Sequence, residues 1–277
     1  MPELPEVETI VRGLREKLIG RQIRTVQVRT ASLLKSPRPG FRKQLTGALI
    51  RKIERKGKFI LIGLGNGATL VVHLRMTGQL LLIPEGQPAD KHTHLIFNLQ
   101  PRDLQLRYRD VRKFGFLVLL PPGQEWPQLS ELAPDPFELT ARDFYERLQK
   151  KKRAIKPLLL DQRFISGLGN IYVDESLFRS QIHPLTRSHT LSWDQVRGLR
   201  QRIRQVLRQA IKAKGTTVSD YRGPEGIVGG FQQYLRVYDR QGSPCPTCRN
   251  PIHKTRVGGR GTHLCPTCQP NPMKNRF

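Results

Sequence analysis

The sequence predicts an α+β protein of several domains, with a β-rich N-terminal half, a helical middle and a metal-binding C-terminus. Over roughly the first 120 residues, short runs of Val, Ile, Leu and Phe alternate with Gly, Pro and Asn, which is typical of a two-sheet sandwich or barrel. Apolar residues then recur at helical spacing between residues 140 and 213, and two pairs of cysteines follow. The 277 residues are enough for two domains with hydrophobic cores.

The first predicted element is a helix over residues 3–19, where leucine and valine side chains recur on one face. Pro5 suits the first turn of a helix, and the glutamates at positions 3, 6 and 8 suit the positive end of the helix dipole. We expect this helix to flank the β-rich half.

Pro2 is chemically unusual if Met1 is removed, because its nitrogen then becomes a free secondary amine. An α-amino group titrates near pH ~8, about two units below a lysine side chain. A larger fraction of such amines is uncharged at neutral pH and able to form a Schiff base with an electrophilic carbon. Glu3 lies beside it as a candidate acid. The alternative is that Pro2 only starts the helix.

Seven strands are predicted in the β-rich half, from apolar runs bounded by Gly, Pro and Asn. They cover residues 23–28, 59–64, 69–74, 79–83, 94–99, 104–109 and 114–120. The strands do not alternate with helices, so a sandwich or barrel is favoured over a parallel sheet. This N-terminal domain is expected to span residues 1–121.

The helical region is expected to contain four helices. They lie at about 140–151, 154–162, 170–181 and 192–213. Thr140 with Asp143, and Ser192 with Gln195, have the spacing of capping boxes. Asn170 follows two glycines and is the expected N-cap of the third helix.

Composition also indicates how the chain is divided. Residues 122–136 are rich in proline and polar side chains and are predicted to be a linker. A glycine-rich loop interrupts the helical region near its end. We expect a helical domain over 137–238 with this loop at about 215–232, a zinc finger over 239–269 and a tail over 270–277.

The chain is strongly basic, with 48 Lys and Arg against 22 Asp and Glu and a net charge of +26. Residues 150–214 alone hold fifteen basic and four acidic side chains. A solvated basic face is the alternative, but this imbalance favours a polyanionic partner such as DNA. No apolar run reaches the ~18 residues of a membrane-spanning helix, and no secretory signal is recognisable. We therefore expect a cytoplasmic, nucleic-acid-binding protein.

The cysteines form the pattern C-x2-C-x16-C-x2-C, which is typical of zinc sites, with Cys245, Cys248, Cys265 and Cys268 as the ligands. Four thiolates complete a tetrahedral zinc ion and leave no open position, so the predicted zinc is structural. Two disulfides are the alternative, which a reducing compartment disfavours.

A β-hairpin is predicted between the two cysteine pairs, with strands at 252–257 and 262–264. Its turn is expected at 258–261, where Arg260 is framed by three glycines. An arginine at a hairpin tip is well placed to contact a phosphate, whereas the alternative is a surface arginine without a role.

Several short motifs follow one another along the chain. They are PELPEVE at 2–8, GKF at 57–59, HLRMTG at 73–78, YRDVRKFG at 108–115, GLGNIY at 167–172 and the zinc hairpin. Together they resemble the formamidopyrimidine-DNA glycosylase (Fpg) family, bacterial base-excision repair enzymes that remove oxidised purines. The resemblance covers residues 2–268. It implies an N-terminal β-sandwich with flanking helices, a helix–two-turn–helix domain and a C-terminal zinc-finger hairpin.

The resemblance implies a bifunctional DNA glycosylase and AP lyase acting on 8-oxoguanine and formamidopyrimidines in double-stranded DNA. Pro2 matches the nucleophile that forms a Schiff base with the sugar, and Glu3 matches the proton donor. Lys58 and Arg260 match residues assigned to β- and δ-elimination. One structural zinc ion, no organic cofactor and a monomeric, nucleoid-associated enzyme are also expected.

Other positions match residues that hold DNA while the damaged nucleotide is flipped into a pocket. Met76, Arg112 and Phe114 resemble the trio that fills the gap left by the flipped base, a role that suits apolar wedges and an arginine. The remaining matches are His73, Arg75, His92, Lys151, Asn170 and Tyr238. The glycine-rich loop matches the loop that caps the lesion.

Two alternatives remain at the level of sequence. Enzymes of the sister endonuclease VIII family share the fold and nucleophile but prefer oxidised pyrimidines, and they usually have glycine where this chain has Leu4. A non-catalytic DNA-binding protein on the same scaffold is expected to lose Pro2, Glu3 or Lys58, and all three are present.

Overall fold

The computed structural model describes residues 1–36, 38–216 and 229–272. The chain divides into two compact units. The first unit combines Met1–Ser130 with Ile211–Gly230, and the second combines Glu131–Ala210 with Phe231–Phe277. In the described ranges, no helix is both long and apolar enough to span a bilayer.

The first unit contains the predicted sandwich. Its helices are α1 (Leu4–Leu18), α2 (Arg38–Leu45) and α3 (Pro127–Ser130). Its strands are β1 (Gln22–Val28), β2 (Ile50–Lys56), β3 (Phe59–Leu64), β4 (Thr69–His73), β5 (Gly78–Pro84), β6 (Thr93–Gln100), β7 (Leu104–Asp110) and β8 (Phe116–Leu120). They form two antiparallel sheets, in the orders β1-β6-β7-β5 and β2-β3-β4-β8.

One continuous apolar core joins the two sheets to α1 and α2. Val7, Val11, Leu14 and Leu18 of α1 are fully buried in it, as their helical spacing predicts. Alternate residues of a strand enter this core, such as Ile60 and Ile62 of β3 and Leu95 and Phe97 of β6, so each sheet contributes one face to it. The α+β class and the sandwich are therefore confirmed.

Three elements of the first unit were missing from the sequence-based prediction: β2, α2 and the single-turn helix α3, which lies in the predicted linker. Strand β2 reads IRKIERK, and its two buried isoleucines, Ile50 and Ile53, are three residues apart because the strand register shifts between Ile50 and Lys52. Helix α2 contains Pro39 and Gly40, which are poor helix formers, yet it buries Phe41 and Leu45. Tertiary burial outweighs local propensity in β2 and α2.

The second unit is helical and ends in the predicted hairpin. Its elements are α4 (Ala141–Gln149), α5 (Ile155–Leu160), α6 (Asn170–Arg179), α7 (Trp193–Lys212), β9 (His253–Val257) and β10 (Arg260–Leu264). Ser192 and Gln195 form the expected reciprocal capping box, with distances of 2.9 and 3.3 Å. Thr140 accepts the Asp143 N–H at 3.1 Å, which caps α4.

Two predictions about this unit were wrong in detail. Asn170 is the first residue of α6 and Gly169 is the N-cap, so the Asn170 side chain is not a helix cap. The hairpin turn consists of Gly258 and Gly259 alone, with Arg260 already in β10. Both glycines have positive φ, +56° and +77°, as a two-residue hairpin turn of type I′ requires.

The predicted glycine-rich loop at about 215–232 falls mostly on residues 217–228, which lie outside the described residues. Residues 273–277 of the predicted tail also lie outside them. Gln269, immediately before that tail, is fully buried and donates to the Ile182 carbonyl at 2.8 Å.

The outer edge of β8 is occupied by a serine side chain. Ser36 accepts the Leu119 N–H at 2.8 Å and donates to the Leu119 carbonyl at 3.2 Å. The Lys35 N–H donates to the Leu117 carbonyl at 2.9 Å, so the Ser36 hydroxyl extends a short backbone pairing along this edge. An unpaired edge of this kind is otherwise a site of aggregation.

Ser36→Ala is expected to remove both hydrogen bonds and to cost about 1 kcal/mol locally. We expect hydrogen exchange of the Leu119 amide to accelerate by about fivefold without a change in overall fold. Ser130→Ala is the control, because that hydroxyl is exposed and bonds only the Pro127 carbonyl of its own turn. An unchanged Leu119 exchange rate would contradict this account of the edge.

Candidate nucleic-acid-binding and catalytic site

The N-terminal end of α1 is held by a buried carboxylate. Pro2 and Glu3 are both buried, and the Glu3 N–H donates to Glu6 at 2.8 Å. The other oxygen of Glu6, which is 2 % exposed, accepts the Thr216 N–H at 2.7 Å. Glu6 therefore fixes the backbone beside the predicted nucleophile. The E-x-x-E spacing of Glu3 and Glu6 was the one sequence signal for this contact.

Lys58 lies in the tight turn between β2 and β3 and is 7 % exposed. Gly57 precedes it with φ of +57°, a conformation that favours glycine. Arg55 donates to the Gly57 carbonyl at 3.1 Å and to Glu8 of α1 at 2.9 Å. This ion pair ties the Lys58 turn to the helix that begins beside Pro2.

His73 ends β4 inside a cluster of aromatic rings. Its ring stacks on Phe116 at 5.5 Å and meets the edge of Phe59 at 4.6 Å. Burial, with further contributions from the charges of Arg75 and Lys58, lowers the pKa of His73 to about 3. The imidazole is therefore neutral at physiological pH, and its Nδ1 accepts the Arg75 N–H at 3.0 Å.

The structure brings together the three predicted gap-filling residues. Arg112 lies over the ring of Phe114 at 4.6 Å and donates to the Met76 sulfur at 3.4 Å. Met76 is 44 % exposed and Phe114 is 53 % exposed. Large apolar side chains grouped around an arginine in solvent are suited to inserting into a base stack.

Asp110, which the sequence reasoning did not single out, organises this cluster. The residue is fully buried, and its carboxylate accepts the Gly115 N–H at 2.8 Å and the Arg112 N–H at 3.2 Å. It also accepts the hydroxyl of Thr77, beside Met76. One carboxylate therefore joins the loop of Met76 to the loop of Arg112 and Phe114. Because the Gly115 N–H is bonded to Asp110, β8 begins at Phe116, two residues later than predicted.

The other predicted contacts of the first unit lie nearby in the fold. Arg75 is exposed, with its guanidinium 5.5 Å from the centre of the Phe116 ring. His92 is half-buried before β6, and its carbonyl accepts the Asp110 N–H at 3.0 Å. Both residues therefore flank the segment that presents Arg112 and Phe114.

In the second unit the predicted residues gather around the hairpin. Arg260 is exposed at its tip. Asn170 donates to the neighbouring Gly261 carbonyl at 2.9 Å, and the Tyr238 ring packs edge-on against His263 at 5.1 Å. Lys151, within a run of three lysines, is exposed in the turn after α4. It is not joined to the hairpin by any hydrogen bond or ion pair recorded among the described residues.

A buried glutamate fixes the segment that contains Tyr238. Glu175 is fully buried in α6 and accepts the backbone N–H groups of residues 236, 237 and 238 at 2.9, 2.9 and 3.0 Å. Burial raises the pKa of Glu175, and these three hydrogen bonds oppose the shift.

The four cysteines form a compact cluster that fits a zinc ion. Their sulfur atoms lie within 4.8 Å of one another, with 3.8 Å between Cys245 and Cys268 and 3.4 Å between Cys248 and Cys265. A tetrahedral zinc with bonds of about 2.3 Å places its sulfurs about 3.8 Å apart. All four positions are taken by thiolates, so the metal is structural.

Comparison with protein families matches nearly the whole chain. Residues 1–117 match the formamidopyrimidine-DNA glycosylase N-terminal domain, residues 132–222 the H2TH domain of the same enzymes, and residues 242–271 the zinc finger found in FPG and IleRS. The chain is 46 % identical over 276 residues to the formamidopyrimidine-DNA glycosylase of Bacillus cereus strain ZK / E33L, covering 98 % of this chain and 99 % of the relative.

The chain belongs to the formamidopyrimidine-DNA glycosylase family. A relative from Latilactobacillus sakei is 44 % identical and is covered over 98 % of its length, with 97 % of this chain. A mutant Lactococcus lactis FPG in complex with Fapy-dG-containing DNA has a TM-score of 0.92 at 38 % identity, covering 98 % of this chain and 100 % of that one. MutM in complex with DNA containing carbocyclic 8-oxo-G has a TM-score of 0.91 at 37 % identity, with the same coverage.

Membership confirms the class of enzyme and of partner. The chain is a DNA glycosylase of the Fpg branch, with the AP lyase activity general to that family, and it acts on DNA. The endonuclease VIII alternative and the non-catalytic alternative are thereby disfavoured. The zinc finger and its structural zinc are confirmed as well.

The buried neutral His73 is expected to make stability pH-dependent. Between pH about 6.5 and 3 the unfolded histidine binds a proton that the folded one does not, so stability falls as pH falls through this window, by up to about 1.4 kcal/mol per unit. The chain has two tryptophans, so Trp193→Phe leaves Trp126 of the first unit as the reporter. We expect His73→Gln to flatten the pH dependence of the urea midpoint measured by Trp126 fluorescence.

The exposed His253 provides the matched control, and His253→Gln in the same background should leave the slope unchanged. If the urea midpoint varies with pH equally steeply in His73→Gln and in its parent, a neutral His73 is contradicted.

Cys248→Ser is expected to abolish zinc binding, because a tetrahedral site loses one of its four ligands. We expect zinc content to fall from one ion per chain to none, and affinity for a duplex with an abasic-site analogue to fall at least tenfold. The Trp126 unfolding transition should stay as in the parent. Thr247→Ala, an exposed neighbour, is the control. DNA affinity that survives loss of the metal would contradict a role of the finger in binding.

Proposed function

We propose that the enzyme excises oxidised purines through a covalent intermediate at Pro2 and then cleaves the strand by β- and δ-elimination. The observation that supports this most directly is the buried Pro2–Glu3 segment, whose backbone is held by Glu6 at the start of α1. A nucleophile and an acid are then adjacent on a rigid element.

The proposed reaction requires that Met1 be removed, because Pro2 is otherwise a tertiary amide without a nucleophilic nitrogen. The free amine attacks C1′ as the glycosidic bond breaks, and Glu3 supplies a proton that assists sugar opening and release of the base. The nitrogen–carbon bond to C1′ becomes an iminium. The iminium acidifies the C2′ proton, so its loss expels the 3′ phosphate, and a second elimination expels the 5′ phosphate.

Both eliminations leave negative charge on phosphate, and cations that bind it stabilise the leaving group. We assign the first of these roles to Lys58, which is held rigidly in the β2–β3 turn. We assign the second to Arg260, which is exposed at the tip of the zinc hairpin. An arginine suits this role because its planar guanidinium matches phosphate geometry.

We further propose that Met76, Arg112 and Phe114 enter the duplex where the damaged nucleotide leaves it. Their mutual contacts and exposure support this role. We also propose phosphate or sugar contacts for His73, Arg75, His92, Lys151, Asn170 and Tyr238. The bacterial relatives and a DNA substrate support action at the nucleoid.

The substrates named for related structures support an oxidised purine. Relatives have been crystallised with DNA containing Fapy-dG, carbocyclic 8-oxo-G or an abasic site. We therefore propose 8-oxoguanine and formamidopyrimidines as substrates of this enzyme, and abasic sites as substrates of its lyase activity.

Borohydride trapping tests the proposal. With a duplex containing 8-oxoguanine opposite cytosine, we expect a covalent complex whose cross-linked peptide maps to Pro2. Glu3→Gln should slow base release at least a hundredfold, because the proton donor is lost. The same variant should still be trapped on a preformed abasic site, where no base has to leave.

A cross-link at a lysine would refute the assignment of Pro2, and faster excision of 5-hydroxyuracil or thymine glycol than of 8-oxoguanine would refute the purine preference.

A further inference from the structure

The zinc hairpin is fastened to the helical unit by a buried ion pair. Lys156, at the start of α5, lies 2.6 Å from Asp174 in the middle of α6. Both side chains are completely buried. Burying two charges costs desolvation energy, which additional hydrogen bonds to the same two groups offset.

Each partner of the pair also bonds to β10, the strand that begins with Arg260. Lys156 donates to the Gly261 carbonyl at 2.9 Å, and Asp174 accepts the His263 N–H at 2.9 Å. Asn170 donates to the same Gly261 carbonyl at 2.9 Å. Side chains of α5 and α6 therefore bind two backbone groups near the start of β10, the Gly261 carbonyl and the His263 N–H.

The register of the hairpin explains why these backbone groups are available. Arg260 pairs with Val257 across the two-residue turn. In an antiparallel ladder, alternate residues direct their backbone groups toward the partner strand, so those of Gly261 and His263 point outward. Asp174 and Lys156 supply the hydrogen bonds that a third strand would otherwise supply.

The turn itself rests on the residue next to Lys156. A Cβ atom on Gly258 would lie 2.7 Å from the Pro157 ring, so only glycine allows this approach. The turn of the hairpin therefore packs against α5 at Pro157, next to Lys156, which donates to β10.

Zinc holds only the other end of the hairpin. Cys265 follows directly after β10, five residues from Arg260, which corresponds to about 17 Å along a strand. A two-stranded ribbon is marginally stable by itself, so zinc ligation alone leaves the direction of its tip weakly defined.

We propose that Asp174 is a positioning residue for Arg260, acting through its hydrogen bond to His263 and its ion pair with Lys156. The inference rests on the proposed role of Arg260 in δ-elimination. The ion pair sets where the guanidinium stands relative to α6, whereas zinc sets the fold of the finger.

Asp174→Asn is the direct test. The amide oxygen can still accept from Lys156, but the amide nitrogen then faces the His263 N–H, which places two donors together. On duplex DNA with an abasic site, we expect the ratio of δ- to β-elimination products to fall at least tenfold. Zinc content should remain one ion per chain. Borohydride trapping should remain as in the parent, because it reports the Pro2 step.

Leu199→Ala controls for lost stability, because Leu199 is fully buried in α7 of the same unit. It should lower the melting temperature and leave the product ratio unchanged. If Asp174→Asn does not fold, Lys156→Met combined with Asp174→Leu replaces the pair by apolar side chains, a change that buried pairs tolerate. This double variant also removes the bonds to β10, so the same fall in ratio is expected.

Arg260→Gln separates this inference from the function on which it rests. The ratio of δ- to β-elimination products should fall in Arg260→Gln as it does in Asp174→Asn. The double variant should show no further fall, because both changes act through the Arg260 guanidinium. If Arg260→Gln lowers the ratio but a folded, zinc-loaded Asp174 variant does not, positioning by Asp174 is refuted. If Arg260→Gln itself keeps the parental ratio, the role of Arg260 fails and the positioning role fails with it.

Discussion

Hydrogen bonds from backbone N–H groups to buried carboxylates hold four of the segments that carry predicted functional residues. Glu6 holds the backbone of Glu3, and Asp110 holds the loop of Arg112 and Phe114. Asp174 holds the strand of Arg260, and Glu175 holds the segment of Tyr238. These segments are irregular or lie at the ends of elements, so helix and strand ladders do not satisfy their N–H groups. A carboxylate oxygen accepts two or three such groups at once, and burial makes each bond stronger.

The exposed charges and the buried carboxylates of the protein have different roles. Only 22 acidic residues are available against 48 basic ones, and four of those acids are 0–2 % exposed. The surface is therefore still more positive than the net charge suggests. A positive surface attracts phosphate over long range in a manner that salt weakens. The buried acids are screened much less by salt, so the geometry of the functional segments persists under conditions that weaken association with DNA.

The parts of the structure that sequence predicted are those with a local pattern. The amphipathic spacing of α1, the apolar runs of the strands and the cysteine spacing each involve residues close together in sequence. So does the placement of Arg260 among glycines. Strand β2 was missed because a register shift spaces its buried isoleucines three residues apart among charged residues, and α2 was missed because of Pro39 and Gly40. Asn170 was assigned as a cap from its position, whereas its side chain bonds a residue 91 positions away.

The anchoring carboxylates were not predictable for the same reason. Asp174 and His263 are 89 residues apart, and Glu6 and Thr216 are 210 apart. Nothing near Asp174 in the sequence distinguishes it from a solvated acid, and the E-x-x-E spacing of Glu6 indicates only its local bond to Glu3. Their identification requires knowledge of which backbone N–H groups lack a partner, and that depends on the assembled fold.

The bond between Glu6 and Thr216 also has a consequence for how the protein is made. It joins Glu6 to a residue that emerges 210 residues later, in a segment that belongs to the first unit. At 5–20 residues per second, roughly 10 to 40 s separate the two on the ribosome. During that interval the sandwich can form around α1, but the hydrogen bond from Thr216 to Glu6, which supports the start of α1, cannot form. The segment that carries the proposed nucleophile is therefore synthesised well before Thr216, the residue that completes its support.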